Sequence, residues 1–465
     1  MPKKYHIDIK PTPLNVKLIP KFKITRGENC INCGKCTKVC IYEAHKRSEQ
    51  DIRKIADPYM VACRNCFRCI QECPRGALAK GLEPDFQALG GAYWKPDMFL
   101  SIWKQAEDGK VPVSGAGYRG PFTGPGFDGM WTDMSEIVRP TRDGIHGREY
   151  ISTAVELGRK LNHLEFDGSG ALVSKIFNVV DVPLPIVFDI PASDLLTSNV
   201  KNAMVTAAEA LGSFAIFPSA EISPDMQRHM QHIIPLMTPD SIGANTALIQ
   251  SARVIALEYS GALLENFAAV RRSVRNISSA LVIVRINAAT GVEDTIVQLT
   301  KAGVEIIHIA ADYCGMEVQG ERYIKDVIRA VHLRLIDERM RDEISIIASG
   351  GIGMAEHVPK ALLCGADLTA IGLPLLIALG AFVYQQPARK IVMPEGIEKI
   401  PVGIARQRIV NLMGAWHSQL LEVMGAMGIR ETRRLRGETG RAIFFDEIDR
   451  ETFGKLFQKQ ESANV

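Results

Sequence analysis

Eight of the ten cysteines fall in two runs of one design. Cys30, Cys33, Cys36 and Cys40 form the first. Cys63, Cys66, Cys69 and Cys73, followed by Pro74, form the second. Both read C-x2-C-x2-C-x3-C, the spacing by which a bacterial-type ferredoxin holds two [4Fe–4S] clusters. A cubane cluster needs four thiolates: three come from a tight loop and the fourth from a distance. In the two-cluster arrangement the last cysteine of each run ligates the other cluster. The expected sets are therefore Cys30, Cys33 and Cys36 with Cys73, and Cys63, Cys66 and Cys69 with Cys40. The first run has Ile41 where the second has its proline. Zinc prefers paired C-x2-C knuckles, one metal to four ligands, and a third cysteine two residues on fits that poorly. Disulfides need an oxidising compartment. The chemistry expected is one-electron transfer.

The first 25 residues mix Lys3, Lys4, Pro11, Pro13, Lys17 and Lys21 without an apolar core, so no signal peptide is expected and the protein reads as cytoplasmic. The most apolar stretch, residues 368–383, is short of the roughly 20 residues a membrane span needs. A net charge of +3 over 465 residues carries no nucleic-acid footprint. The length suggests about three domain-sized units. A ferredoxin-like unit is expected over residues 1–81. Residues 82–150 form a connector dense in glycine and proline, with Trp94, Trp103, Trp131, Tyr93, Tyr118, Phe122 and Phe127. Disordered linkers are poor in aromatics, so this one is expected to be ordered against the rest of the chain. Its polar end, Arg139 to Glu149, suits an ordered bridge.

From about residue 180 short, often β-branched apolar runs alternate with helical patterns. Strands are expected at 184–189, 213–217, 233–237, 253–258, 280–287, 305–310, 344–349 and 368–372. Helices are expected between several of them, at 199–211, 291–302, 323–341 and 354–364. Eight βα units in about 200 residues point to an α/β fold of the (β/α)8 TIM-barrel type over residues 151–440, leaving a tail at 441–465. The seventh strand runs into Ser349-Gly350-Gly351 and the eighth into Gly372-Leu373-Pro374. Glycine lets backbone amides approach an anion, and the loops after strands seven and eight are where many barrels bind phosphate. A ferredoxin-like unit joined to a phosphate-binding barrel implies FMN, with two [4Fe–4S] clusters feeding or draining it.

These motifs resemble a known family. Ile346-Ile347-Ala348-Ser349-Gly350-Gly351-Ile352, Gly365-Ala366-Asp367, Ile371-Gly372, Pro401-Val402-Gly403-Ile404-Ala405-Arg406-Gln407 and the closing Met427-Gly428-Ile429-Arg430 are similar to the FMN-binding domain of glutamate synthase. Stand-alone members fused to a ferredoxin module, of the archaeal type, look most similar. The resemblance covers roughly residues 185–440 and implies FMN bound at Ser349, Gly350, Gly351, Gly372 and Leu373. It also implies a cation from the fifth strand beside the flavin, a lysine in the family and Arg285 here.

The departures from the family matter as much. Its [3Fe–4S] cysteines precede the P-V-G-I-A motif, and residues 385–400 hold no cysteine. A serine- and glycine-rich loop after the first strand becomes Pro191-Ala192-Ser193-Asp194. The glycine-rich loop after the second becomes Pro218-Ser219-Ala220-Glu221. The fourth strand lacks the family's lysine and glutamine, and the loop after the sixth reads Cys314-Gly315-Met316-Glu317. The phosphate clamp is expected to be kept and the substrate groups rebuilt. Residues at the C-terminal ends of barrel strands face the active site. The candidates there are Asp189, Glu258, Arg285, Asn287, Asp312 and Cys314, with Arg285, Asp312 and Cys314 as catalytic candidates. The expected activity is an iron–sulfur flavoprotein oxidoreductase of unknown substrate. An electron-transfer subunit of a larger complex, with catalysis on a partner chain, is the alternative, and glutamate synthesis the third reading. A redox partner protein is expected in each.

Overall fold

The computed structural model describes residues 5–12, 19–63, 65–111, 123–133, 151–159, 164–174, 177–190, 196–384, 390–393 and 397–461. Arg139 to Glu149 and residues 191–195 lie outside them. Eight parallel strands close in chain order: β1 (Ile186–Asp189), β2 (Ala215–Pro218), β3 (Ile233–Met237), β4 (Val254–Glu258), β5 (Leu281–Asn287), β6 (Ile306–Ala310), β7 (Ser345–Ser349) and β8 (Leu368–Ile371), with β8 pairing back to β1. All eight expected strands are present, their ends within two residues of the expected ones.

The strands read as nearly continuous apolar runs because both faces are covered. Side chains alternate across a strand. Val187, Ile216, Ile234, Ala256, Ile283, Ile306, Ile347 and Ala370 fill the barrel interior. Their neighbours Phe188, Phe217, Ile255, Val284, Ile307 and Ile346 face out into the helical layer. A two-stranded ribbon of Val155–Leu157 and Val180–Val182 joins the interior cluster with Val254, Leu281 and Leu368, the first residues of their strands. It therefore seals the N-terminal end of the barrel and leaves the C-terminal end for chemistry.

Of the connector's aromatic residues, Tyr93, Trp94, Trp103 and Phe127 are buried in the same outer core, with Phe99, whereas Trp131 is 47% exposed and Tyr118 and Phe122 lie outside the described residues. The helix Pro96–Asp108 lies against the long helix Val402–Met427. Two buried polar side chains of the long helix fix that contact. Arg408 donates to the carbonyls of Ala378 (2.8 Å) and Thr12 (2.7 Å), and Asn411 donates to those of Lys10 (2.7 Å) and Ala106 (3.0 Å).

The cysteine runs sit between the antiparallel strands Phe22–Arg26 and Leu78–Leu82. Each run makes a loop followed by a short helix, Lys35–Val39 or Arg68–Gln71. The loops match residue for residue at a spacing of 33. Asn32 and Asn65 both adopt positive φ, as do Gly34 and Phe67. The hydrophobic cluster here is small: Ile24, Cys69 and Leu78 are its buried members.

Candidate functional site

The two cysteine loops face one another, and each thiol-lined cavity draws on both. One is lined by Cys30, Cys33, Cys36 and Cys73. The other is lined by Cys40, Cys63, Cys66 and Cys69. The loop-plus-distant partition is thus built into the backbone. All eight are free thiols, and Cys33 and Cys66 are exposed. Backbone N–H groups turn toward sulfur, as where Ala77 donates to Cys73 Sγ at 3.2 Å. Burial, with the neighbouring Cys63, pushes the Cys69 thiol up to about 11. Neighbouring thiolates repel one another, a cost that a cationic centre such as an iron–sulfur core offsets. His45, only 4% exposed, lines both cavities.

At the C-terminal end of the barrel the glycine loops follow neighbouring strands, β7 and β8. Gly350 (φ +100°) and Gly351 (φ +66°) occupy backbone space that side chains rarely adopt. A Cβ on Gly351 would lie 2.8 Å from the Tyr93 hydroxyl and 2.9 Å from Gly315 Cα. Glycine is therefore needed on both counts, and the loop is braced from behind. Tyr93 Oη donates to the Gly351 carbonyl, and Trp94 Nε1 to that of Tyr313 (2.9 Å). His357 completes the brace. The Gly353 N–H donates to its Nδ1 (3.1 Å), and its Nε2 pairs with buried Asp128 (2.9 Å). Gly372 and Leu373 begin the short helix Leu373–Ala378 alongside. Sequence reasoning missed Asp128, Tyr93 and His357, which join segments more than 200 residues apart.

Strand alternation carries the interior set of side chains on toward this end, where it turns polar. Asp189 follows Val187, Arg285 follows Ile283, His308 follows Ile306 and Ser349 follows Ile347. They meet. Arg285 donates both terminal nitrogens to Asp189, at 2.6 and 3.0 Å. Burial raises the Asp189 carboxyl, but the charge of Arg285 and the hydrogen bonds from Arg285 and Ser349 outweigh it and hold the group below the ordinary carboxylate range. Burial, and then Arg285, lower the His308 imidazole to about 3, so it is neutral. Its Nε2 pairs with Ser349 Oγ at 2.8 Å, and its Nδ1 is buried without a hydrogen-bond partner among the described residues. A polar cleft opens beside Arg285, walled by Glu258, Tyr259, Asn287, Thr290 and Thr295.

The structure separates the other candidates. Asp312 Oδ1 accepts from the backbone N–H groups of Cys314 (2.9 Å) and Met316 (2.8 Å), so this carboxylate shapes the turn after β6. Cys314 is partly buried in that turn, against the glycine loop: a Cβ on Gly351 would lie 3.1 Å from its carbonyl oxygen. Cys364 is fully buried, and burial pushes its thiol up to about 12, an inert state.

Residues 263–430, from the helix after β4 through β5–β8 and the long helix, match the conserved region in glutamate synthase. The barrel is glutamate-synthase-like. Relatives extend over nearly the whole chain. An archaeal-type glutamate synthase (NADPH) of Dehalococcoides mccartyi is 24% identical, over 90% of this chain and 94% of its own length. An archaeal glutamate synthase (NADPH) of Archaeoglobus fulgidus is also 24% identical, over 94% of this chain and 97% of its own. Among solved structures, a mandelate oxidase with an FMN adduct aligns over 65% of this chain and 90% of its own, at 14% identity and a TM-score of 0.42. That likeness adds nothing to what the strand order already says. Among the described residues no helix is long and apolar enough to cross a membrane.

Proposed function

We propose that this glutamate-synthase-like chain is an iron–sulfur flavoprotein oxidoreductase, with two [4Fe–4S] clusters in the thiol-lined cavities and FMN at the open end of the barrel. The observation that carries the reading is the division of eight thiols into two cavities, three from one loop and one from the other in each. FMN, when bound, supplies the conversion between one-electron and two-electron chemistry. The chain's own residues do the rest. Ser349, Gly350, Gly351, Gly372 and Leu373 hold the phosphate. Tyr93, Trp94 and His357 keep the loop in place. Arg285, neutralised by Asp189, fixes a charge pair at the mouth, and the adjoining cleft receives the organic substrate. Anaerobic purification followed by acid release tests this. About eight irons and one FMN per chain support it. Eight irons with no flavin, even after reconstitution, overturn the FMN half.

A second reading is an electron-transfer subunit whose catalytic site lies on a partner chain. The bidentate fork supports it, since a cation committed to Asp189 is not offered to a substrate anion. The relatives' name makes 2-oxoglutarate with ammonia the first substrate pair to try. Glutamate formation by the iron- and FMN-replete chain, supplied with dithionite as the electron source and with no partner chain, would set the subunit reading aside and place the reaction here despite the rebuilt loops.

A further inference from the structure

Charge at the open end of the barrel does not balance. Two residues beyond the interior side chains Val187, Ala256, Ile283, Ile306 and Ile347, strand alternation returns Asp189, Glu258, Arg285, His308 and Ser349 to the same face. Of these five Arg285 is the one cation, and Asp189 holds both its terminal nitrogens. Glu258 is left over. It stands beside Arg285 in the register of β4 and β5 and is exposed, yet among the described residues its carboxylate makes no ion pair or hydrogen bond. Cations in the segments that follow other strand ends are matched as well. Glu221 holds Lys201 at 2.7 Å, and Glu293 and Glu317 hold Arg322.

A lone exposed carboxylate is ordinary at a protein surface. This one lines a cleft whose single cation is already committed, so the field within the cleft is negative. The other polar residues of the cleft, Tyr259, Asn287, Thr290 and Thr295, are neutral, and no described residue hydrogen-bonds to their side chains. An entering carboxylate meets repulsion from Glu258 and finds no free cation. An ammonium group finds a carboxylate, hydroxyl and amide oxygens that accept, and an aromatic residue of the kind whose ring face attracts cations. The apolar residues Ile286 and Val292 line the same cleft and suit a hydrocarbon stem.

We propose that this cleft selects organic substrates carrying a primary ammonium group, that Glu258 sets the preference, and that dicarboxylates are turned away. This rests on the reading of the cleft as the substrate site given above. The step is recognition alone: an ion pair forms, and no covalent bond or electron moves.

The test uses the purified iron- and FMN-replete chain. The probes are butylamine and butyrate, similar in length and opposite in charge, with 2-oxoglutarate as a dianion. Saturation-transfer difference NMR in about 50 mM NaCl, where surface charge is only partly screened, reads each dissociation constant. Butylamine should bind about fivefold or more tighter than either anion, the factor that one solvent-screened ion pair supplies. Glu258→Gln should abolish that preference and Glu258→Lys should turn it toward the anions. Glu258 is exposed, so both variants keep the fold. Glu338→Gln, just past the far end of the helix Ile324–Asp337, should change nothing. No butylamine binding, equal binding of amine and anion, or a preference that survives Glu258→Gln overturns the proposal. The cleft is built of protein alone, so the preference is readable whether or not flavin is bound. FMN analysis of the same samples therefore separates the two layers. A chain without FMN, even after reconstitution, removes the flavin reading beneath, whereas an FMN-replete chain without the amine preference removes only the role of Glu258.

Discussion

Asp189 and Arg285 form a two-pronged ion pair at the open end of the barrel. Deleting the guanidinium would leave a partly buried carboxylate without its main partner, a loss of about 1–3 kcal/mol. Arg285→Leu should therefore destabilise by about that much, read from the urea midpoint, and Arg285→Lys by less, because a point charge cannot make the two-pronged contact. The double variant Asp189→Asn with Arg285→Leu should recover most of the loss. If it does not, the fork is not what stabilises this end. His308 adds a pH dependence of definite sign. Its unfolded imidazole titrates near 6.5 and its folded one near 3. Between those values the unfolded chain takes up a proton that the folded chain refuses. Stability should therefore fall as pH drops below about 6.5, with a slope of up to about 1.4 kcal/mol per pH unit. His332, lowered to about 4 by burial and Arg341, acts in the same direction. Asp189 has the opposite shift. Its contribution is in place above its unfolded pKa near 4 and is lost only as pH falls below that. The window from 6.5 to 4 therefore belongs to the histidines, and His308→Gln should reduce its slope in urea titrations at stepped pH, leaving the share of His332.

At the scale of elements, the glycine loop after β7 is set by what lies behind it. Tyr93→Phe removes one hydrogen bond to the Gly351 carbonyl, a loss of about 1 kcal/mol. Gly351→Ala should cost more. It adds roughly 1–2 kcal/mol for a side chain in left-handed backbone and drives a methyl against Gly315 Cα. Both should weaken FMN binding, followed by flavin fluorescence quenching, and the alanine more strongly. Equal effects would mean that the aromatic brace, not the backbone of Gly351, governs the loop. The strands around this loop were legible in the sequence because a parallel barrel writes itself as β-branched runs at regular spacing. Ser349 to Gly351 were legible because glycine marks special backbone. The polar cluster was only half legible. Asp189 and Arg285 could each be placed at a strand end, but their pairing crosses 96 residues and the barrel itself. The brace was not legible at all, since nothing local in Asp128 or Tyr93 points to His357 or Gly351.

At the scale of the whole molecule, two kinds of core stand side by side. The barrel and its helices share a continuous apolar interior that also takes in Tyr93, Trp94 and Trp103. The cysteine unit has three buried members in its cluster, one of them a cysteine. So few apolar contacts cannot offset the ordering of some sixty residues, and units of this size usually need a covalent or metal staple. On the proposed reading, metal ligation would be the main source of order between residues 19 and 82. Phe67 fits that picture. It holds left-handed backbone at φ +57°, a strained state for an aromatic residue, and is retained by Phe22 (5.1 Å between rings) and Lys80 (4.4 Å from its ring). Stripping iron with a chelator under reducing conditions should therefore unravel the cysteine unit alone. Limited trypsin digestion of the stripped chain should cut within residues 19–82, which hold thirteen Lys and Arg, and leave a core that starts beyond them. The core should keep its far-ultraviolet dichroism and a melting temperature within a few degrees of the iron-replete protein's. Simultaneous loss of the barrel would mean that the cysteine unit supports the barrel's fold as well as its electron supply. Protection of residues 19–82 without iron would mean that protein contacts alone hold the eight thiols in place.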